Sequence, residues 1–255
     1  SIPIGELIVE GRAAVEAKHP RHWLIRLILN HVLISPRRIQ WFTPPLRWAQ
    51  QLKLDRLGVA LLGWIPKVGP VLKDLVQLAP KMPKPLWNDL QKPPRSSETS
   101  EVSGSTYRVG FFLGCVMNVA FADASRATVK VLNEFGCEVI TPQAQMCCGA
   151  PQDDQGLKDT ARKMAKQNIA AFEALGNLDA IVADCAACSG FLKEYERVFH
   201  GDVEWAERAA RFSSKVRDIT EWLDQIMPAD LPRPAGERAG VRGATRATYH
   251  EPCHL

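Results

Sequence analysis

Between residues 106 and 227, short apolar runs alternate with longer stretches in which apolar residues recur every three or four positions. The runs TYRVGFFLG, CEVITP and LDAIVAD predict three β-strands, because each is short, apolar and bounded by turn residues. The stretches after the first two runs predict helices, at about 121–135 and about 155–175. Strands that alternate with helices form a parallel sheet. We therefore predict an α/β fold, in which a βαβαβ unit places helices against a parallel sheet.

The chain after the third strand is predicted to be helical. CAACSGFLKEYERVF turns back into a helix directly after the strand. Further along, apolar residues recur at a heptad-like spacing, which predicts one more helix with a stripe made of Phe212, Val216, Ile219, Leu223 and Ile226.

Residues 1–90 predict a helical segment with a basic bias. Their longest apolar run, WLIRLILNHVLI, has 12 residues and contains Arg26 and His31, so it is too short and too polar to span a bilayer. We expect a soluble chain in the cytoplasm. Residues 1–56 carry nine Lys and Arg against four Asp and Glu, together with three tryptophans. These helices either pack their apolar stripes against the rest of the protein, or form a surface that rests peripherally on the inner face of the cell membrane or on a partner subunit.

Proline-rich and small polar stretches divide the chain. We place linkers at 91–105 and 228–246, on either side of an α/β domain at 106–227. With 46% apolar and 24% charged residues the composition is globular, and a net charge of +4 is too small to suggest nucleic-acid binding. Seven cysteines in 255 residues, an odd number in a long chain, do not resemble a secreted disulfide framework. Metal binding or redox chemistry in a reducing compartment is the expected use of clustered thiols.

Cysteines follow each of the three predicted strands. One follows the first strand, two follow the second and two follow the third, in the order Cys115, Cys147, Cys148, Cys185 and Cys188. Right-handed crossovers place the carboxyl ends of parallel strands along one edge of the sheet, so these five thiols are expected to converge there. Cys137 lies at the start of the second strand, hence at the opposite edge, and is expected to be a small buried hydrophobe.

The adjacent pair Cys147 and Cys148 narrows the choice of metal. A structural zinc ion needs four tetrahedral ligands, and neighbouring residues rarely aim both side chains at one small ion. A cluster with several irons offers separate positions, so the pair favours iron-sulfur over zinc. Gly149 lets the backbone approach such a cluster, and the helices that begin after these loops are expected to lower the pKa of the thiols. Cys185-x-x-Cys188 alone would also fit a redox dithiol.

The arrangement resembles a family of cysteine-rich domains that is named for its Cys-Cys-Gly signature. In this sequence 31 residues separate Cys115 from Cys147, the signature is Cys147-Cys148-Gly149, and Cys185-x-x-Cys188 follows. Members include iron-sulfur subunits of glycolate oxidase, lactate-utilisation proteins, the third subunit of anaerobic glycerol-3-phosphate dehydrogenase and B-type subunits of heterodisulfide reductase. The stretches GCVMNVAFADASRATVKVLNEFGCEVITP, CCGAPQDDQG and GFLKEY are most similar to the glycolate oxidase branch.

The resemblance implies a cofactor and partners. The five thiols would bind an iron-sulfur cluster of the [4Fe-4S] type, non-cubane in some members, whereas other members hold zinc. A flavin-containing dehydrogenase subunit would oxidise glycolate to glyoxylate, and this chain would pass the electrons toward a membrane acceptor. The alternatives are the lactate, glycerol-3-phosphate and heterodisulfide systems, or a zinc-stabilised scaffold. The chain shows no Gly-x-Gly-x-x-Gly and no P-loop, so we expect an electron-transfer subunit with no catalytic residues of its own.

The resemblance also implies further domains at both ends of this chain. In the family, a ferredoxin-like domain precedes the matching region and a second cysteine-rich domain follows it. ATYHEPCHL, at residues 247–255, repeats the theme of STYRVGFFLGC, so we expect it to start the second domain. Cys253 would then be the first metal ligand of that domain, and the neighbouring His250 and His254 are given no role.

Overall fold

The computed structural model describes residues 4–19, 22–54, 73–74, 76, 81–91 and 107–227. The described residues before 107 form helices and helical turns. Their bounds are α1 Ile4–Lys18, α2 Trp23–Leu27, a π-helical turn Ile28–Val32, α3 Pro36–Ile39, a 3-10 turn Gln40–Phe42, α4 Thr43–Gln51 and α5 Trp87–Leu90. Within the described ranges, no helix combines the length and the apolar character that a membrane crossing requires. Both predicted linkers, apart from Gln91, and the predicted start of a second domain lie outside the described residues.

Residues 107–227 form a parallel sheet with helices on both faces, which confirms the predicted α/β fold. The strands are β1 Tyr107–Phe112, β2 Cys137–Ile140, β3 Ala180–Ala183 and β4 Val216–Asp218. The helices are α6 Cys115–Ala120, α7 Ala122–Glu134, α8 Ala150–Asp154, α9 Lys158–Glu173, α10 Ala186–Lys193, α11 Tyr195–Val198, α12 Val203–Lys215 and α13 Ile219–Ile226.

The strand order is β2-β1-β3-β4, with every neighbouring pair parallel. From β1 the chain moves to β2 on one side and then crosses to β3 on the other side. The direction of winding therefore reverses beside β1. In open α/β sheets, ligands bind outside the carboxyl ends of the strands at such a switch point.

One helix prediction is wrong. Phe212 and Ile226 were expected to share a single helix, but β4 interrupts it. Val216 is fully buried and pairs with Ile181 of β3, while Asp218 caps the following helix, α13. The helices on either side of β4 pack apolar residues against the sheet, and β4 itself contributes a buried apolar residue. The apolar spacing therefore continues across the break, and the pattern does not reveal the short strand.

The two faces of the sheet bury separate sets of side chains. Alternation along β1 puts Val109 and Phe111 on one face and Phe112 on the other, as the period of a strand requires. The first face packs against α5, α7 and α13 through Trp87, Leu132 and Trp222. On the second face Phe112 stacks on Phe172 of α9, with ring centroids 5.9 Å apart. The sheet is therefore covered on both sides, and its carboxyl edge is held rigidly.

Asn118 ties the N-terminal helices to the α/β domain. Its Oδ1 accepts hydrogen bonds from the backbone N–H groups of Leu86, at 2.9 Å, and Trp87, at 2.7 Å. Its Nδ2 donates to the carbonyl of Pro36 at 2.9 Å. All three bonds are buried, so water cannot replace them.

Asn118→Ala is expected to lower the free energy of unfolding by about 3 kcal/mol, because it removes the partner of the buried Trp87 N–H and of the Pro36 carbonyl. It leaves the Leu86 N–H with only a 3.4 Å contact to the backbone carbonyl of residue 118. Urea denaturation followed by circular dichroism measures this loss. The matched control is Asn88→Ala, since Asn88 is exposed and the hydrogen bond that its side chain accepts from Gln40 lies at the surface. A cost for Asn118→Ala no larger than that of the control, about 0.5 kcal/mol, would contradict the tie.

Candidate metal centre

The structure brings the five predicted thiols together at the carboxyl edge of the sheet. Cys115 begins α6 just after β1, and Cys185 is the N-cap of α10 just after β3. The Cys115 and Cys147 sulfurs are 3.4 Å apart. The pKa values of Cys147 and Cys148, of Cys148 and Cys188, and of Cys188 and Cys185 also depend on one another, so these thiols are neighbours as well. The convergence that the sequence predicted is therefore present, with Cys147, Cys148 and Cys185 on two loops and Cys115 and Cys188 in two helices.

The thiol cluster is largely buried. Cys147 and Cys148 are 0% and 2% exposed, and Cys115 and Cys188 are buried as well. Only Cys185 among the five reaches the surface in part. The cluster thus has an inner wall and one more open side, at the start of α10.

Backbone N–H groups point at the sulfurs, because three helices start at this edge. Cys115 accepts from Val116, Cys147 from Gly149 and Cys148 from Ala150. Cys185 accepts from the N–H groups of Ala187 and Cys188. Such donors stabilise negative charge on sulfur, as the first turn of a helix does in general.

The loop before Cys147 is held by contacts that the sequence did not reveal. Gln145 is buried and pairs with the backbone of Leu113 in both directions: its Oε1 accepts from the Leu113 N–H at 3.2 Å, and its Nε2 donates to the Leu113 carbonyl at 2.7 Å. The N–H of Cys147 donates to the carbonyl of Ile34 at 2.9 Å. The loops after β1 and β2 are therefore joined directly, and the N-terminal segment closes over them.

Gly149 provides the turn that lets α8 begin directly after the two cysteines. Its φ is +100°, a left-handed conformation that residues with a Cβ rarely adopt. A Cβ at this position would also lie 3.3 Å from the Phe191 ring and 3.5 Å from the Ala161 backbone. The glycine of the signature is thus required by the backbone turn and by close packing together.

Gly149→Ala is expected to destabilise the fold by about 2 kcal/mol, of which 1–2 kcal/mol comes from the left-handed backbone and the rest from crowding. The matched control is Gly201→Ala, where φ is +86° and nothing lies within 4 Å of the added Cβ. Chemical denaturation of both variants separates the two contributions. Equal costs at the two positions would refute the crowding at Gly149.

The thiols differ in pKa. Hydrogen bonds from Cys147 and Cys188, helped by the Ala150 N–H, lower the pKa of Cys148 to about 5. A hydrogen bond from Cys188 and two backbone N–H groups lower the pKa of Cys185 to about 6. These two sulfurs are therefore thiolates at neutral pH, the form in which cysteine binds metal.

The pKa values of the other three thiols are raised. This is contrary to the expectation that the nearby helix starts would lower the pKa of every thiol. The hydrogen bond with Cys147, together with burial, raises the pKa of Cys115. The hydrogen bond with Cys115 lowers the pKa of Cys147, but the hydrogen bond with Cys148 and burial outweigh it, so the pKa is raised. Hydrogen bonds with Cys148 and Cys185 raise the pKa of Cys188. Crowded thiols cannot all carry charge without a cation, because like charges this close repel each other.

Cys137 lies where the sequence placed it, away from the cluster. It is the first residue of β2, is 3% exposed and packs in the core on the face that also holds Trp222. Burial raises its pKa, so it is an inert thiol. Cys253, His250 and His254 lie outside the described residues, so the predicted second site has no structural description.

Acidic residues beside the thiols serve the scaffold. Asp153 in α8 accepts a 2.9 Å ion-pair contact from Arg197, and Asp184 after β3 accepts a hydrogen bond from Ser125 at 2.5 Å. Among the described residues, no three His, Cys, Asp or Glu side chains surround one point as ligands of a single metal ion. The donor set is a row of neighbouring thiols. Such a row suits a cluster of several metal atoms better than a single metal ion.

Comparison with known proteins places this row of thiols in a family. Residues 109–193 match the family model described as "CCG: Cysteine-rich domain". This part of the chain is a CCG cysteine-rich domain. The match confirms the resemblance inferred from the Cys-Cys-Gly spacing, and it covers β1 to the end of α10, hence all five thiols.

Proteins similar to this chain include one named as an iron-sulfur subunit and several named for lactate utilisation. The "Probable glycolate oxidase iron-sulfur subunit" of Bacillus subtilis (strain 168) is 37% identical over 186 residues, which is 72% of this chain and 39% of the relative. "Lactate utilization protein A" of Oceanobacillus iheyensis is 38% identical over 149 residues, 58% of this chain and 57% of the relative. The protein of the same name from Geobacillus kaustophilus is 34% identical over 148 residues, 58% of each chain.

The chain thus spans less than two thirds of the length of these relatives. No solved structure matches it.

Proposed function

We propose that the chain is part of an iron-sulfur electron-transfer subunit of a complex that oxidises a small hydroxy acid. The observation that carries the proposal is the group of five neighbouring thiols at the carboxyl edge of the sheet. The cluster ligands would be Cys115, Cys147, Cys148, Cys185 and Cys188, and the cluster would be of the [4Fe-4S] type. Cys253 would belong to a second site.

The donor set fits such a group in two respects. Thiolates are the usual ligands of iron-sulfur clusters, and the thiols of Cys148 and Cys185 already have pKa values of about 5 and about 6. The backbone N–H groups at three helix starts supply hydrogen bonds to the sulfurs, one of the factors that set reduction potential. Bound there, an iron-sulfur cluster supplies reversible transfer of single electrons.

The burial of the thiols indicates from which side a redox partner would reach the site. Cys147 and Cys148 face the interior and are closed off from water, whereas Cys185 is partly exposed. A redox partner would therefore approach from the start of α10, since electron transfer favours the side where the cluster lies nearest the surface.

The comparisons support oxidation of a small hydroxy acid as the reaction class, and they are compatible with two substrates, glycolate and lactate. The Bacillus subtilis relative is named for glycolate oxidase, and the Oceanobacillus and Geobacillus relatives for lactate utilisation. We infer glycolate, on the basis of the longer match. The partner would be a flavin-containing dehydrogenase subunit, because hydride removal needs an organic acceptor. The complex would deliver electrons to a membrane acceptor from the cytoplasmic side.

Electron paramagnetic resonance together with metal and sulfide analysis of the anaerobically purified chain tests the proposal. The expected result is several irons with matching sulfide per chain and a signal that appears on reduction with dithionite. One zinc per chain with no sulfide would favour the scaffold alternative. No metal after reconstitution with iron and sulfide would exclude the cluster.

A further inference from the structure

Two peptide groups beside the adjacent cysteines are held by one buried side chain, that of Asn168 in α9. Its Oδ1 accepts a hydrogen bond from the N–H of Met146 at 2.7 Å. Its Nδ2 donates to the carbonyl of Cys147 at 2.9 Å and to the hydroxyl of Tyr195 at 3.0 Å. Asn168 is 0% exposed, and every hydrogen-bonding atom of its amide is oriented by a partner.

Tyr195 completes the grip on the second cysteine. Its hydroxyl accepts from Asn168 and donates to the carbonyl of Cys148 at 2.7 Å. The ring is fully buried between aromatic neighbours, stacked on Phe212 with centroids 5.3 Å apart and edge-on to Phe191 at 5.7 Å. Burial raises the pKa of Tyr195 well above its ordinary value, so the hydroxyl keeps the proton that it donates.

These bonds address a problem that adjacent ligands create. Successive side chains along an extended segment point in opposite directions, so two neighbouring cysteines face one site only if their peptide groups are fixed in a turned conformation. Here the carbonyls of Cys147 and Cys148 both accept buried hydrogen bonds, from the side chains of Asn168 and Tyr195 respectively. Neither side chain is among the hydrogen-bond partners of the sulfurs, so their action is through the backbone.

We propose that Asn168 and Tyr195 are positioning residues of the thiol site, which clamp the Cys147 and Cys148 carbonyls so that both sulfurs face the same group. The assignment rests on the proposed cluster for its consequence, and on the hydrogen bonds alone for its geometry. Outer partners that orient ligands in this way typically change metal affinity 10–100-fold when they are removed.

The test uses Tyr195→Phe, which keeps the ring and removes only the hydroxyl, in the full chain. Its matched control is Tyr107→Phe, the same change at the opposite edge of the sheet, where the ring packs edge-on to Trp222. A second variant, Asn168→Asp, keeps the acceptor for Met146 and removes the donor to Cys147. Two properties are measured. The first is the rate at which the iron-loaded chain releases iron to a chelator, together with the electron paramagnetic resonance spectrum of the reduced chain. The second is the rate at which iodoacetamide alkylates each cysteine of the metal-free chain, mapped by mass spectrometry.

We expect Tyr195→Phe and Asn168→Asp to release iron about tenfold or more faster and to alter the spectrum, with Tyr107→Phe like the parent. In the metal-free chain, Cys147 and Cys148 should react about tenfold faster while Cys137 stays protected, since only the clamped loop opens. Faster reaction of Cys137 to the same degree would mean general destabilisation and would overturn the clamp. Rates equal to those of the parent chain in both measurements would also overturn the clamp. If the parent itself binds no iron, the cluster proposal fails, and the alkylation pattern still decides for or against the clamp.

Discussion

Cys148→Ala is expected to abolish cluster binding, with iron content falling from several atoms per chain to background after anaerobic reconstitution. Cys148 lies in the middle of the thiol row, where it shares hydrogen bonds with both Cys147 and Cys188. It is also the thiol with the lowest pKa, about 5, so it already carries the charge that a metal requires. Loss of a direct ligand should weaken binding by more than the 10–100-fold that outer partners contribute.

Cys137→Ala is the matched control for this loss. Cys137 is as buried as Cys148, at 3% against 2% exposed, but it sits in the core at the amino end of β2. Its replacement should retain all of the iron and cost about 1 kcal/mol or less in stability, because alanine and cysteine differ little in volume. Iron and sulfide assays with denaturation curves on both variants give the comparison. Full iron in Cys148→Ala, or stoichiometric loss in Cys137→Ala, would show that the ligand assignment is wrong.

The positions of the thiols could be predicted because they depend on topology alone. Once the strands are recognised, parallel pairing fixes which end of each strand faces which edge, and Cys115, Cys148 and Cys185 follow three strands. The same reasoning placed Cys137 correctly at the other edge. Neither conclusion requires knowledge of side-chain packing.

The supports of the site could not be predicted because they depend on packing between distant segments. Gln145, Asn168 and Tyr195 act through hydrogen bonds to backbone groups 21 to 47 positions away in the chain, and nothing local marks such partners. One signal was present at Asn168. It lies on the buried side of α9 with Met164 and Phe172, and a polar residue in an apolar helical stripe needs a buried partner.

The pKa values of the thiols are a second property that the sequence predicted only in part. Helix starts near the thiols predicted a general lowering, which holds for Cys148 and Cys185 and fails for Cys115, Cys147 and Cys188. The difference arises from interactions between neighbouring thiols, because ionisation of one sulfur disfavours ionisation of the next, and the fold decides which thiols are neighbours. Dipoles of the helices act on all five sulfurs, but contacts between the sulfurs decide the outcome.

The iron-loaded chain by itself is expected to show no reduction of an electron-accepting dye by glycolate or lactate, and to gain this activity when a flavin-containing dehydrogenase subunit is added. Oxidation of a hydroxy acid removes a hydride from the α-carbon, which requires an organic acceptor, usually with a positioned base. Iron-sulfur clusters move single electrons and cannot take the hydride. Of the carboxylates near the thiols, the buried Asp153 pairs with Arg197, and one oxygen of the half-buried Asp184 accepts a hydrogen bond from Ser125.

Dye-reduction assays on the purified chain, with flavin shown to be absent by fluorescence, measure this requirement. The informative control is the Cys148→Ala chain mixed with the same flavin subunit, because it offers the same docking surface without an intact ligand set. If the chain relays electrons, the parent should support transfer to a distal acceptor and the variant should not. Turnover by the isolated, flavin-free parent would instead place the chemistry at the thiol site itself, as in a heterodisulfide-type reaction, and would overturn the relay.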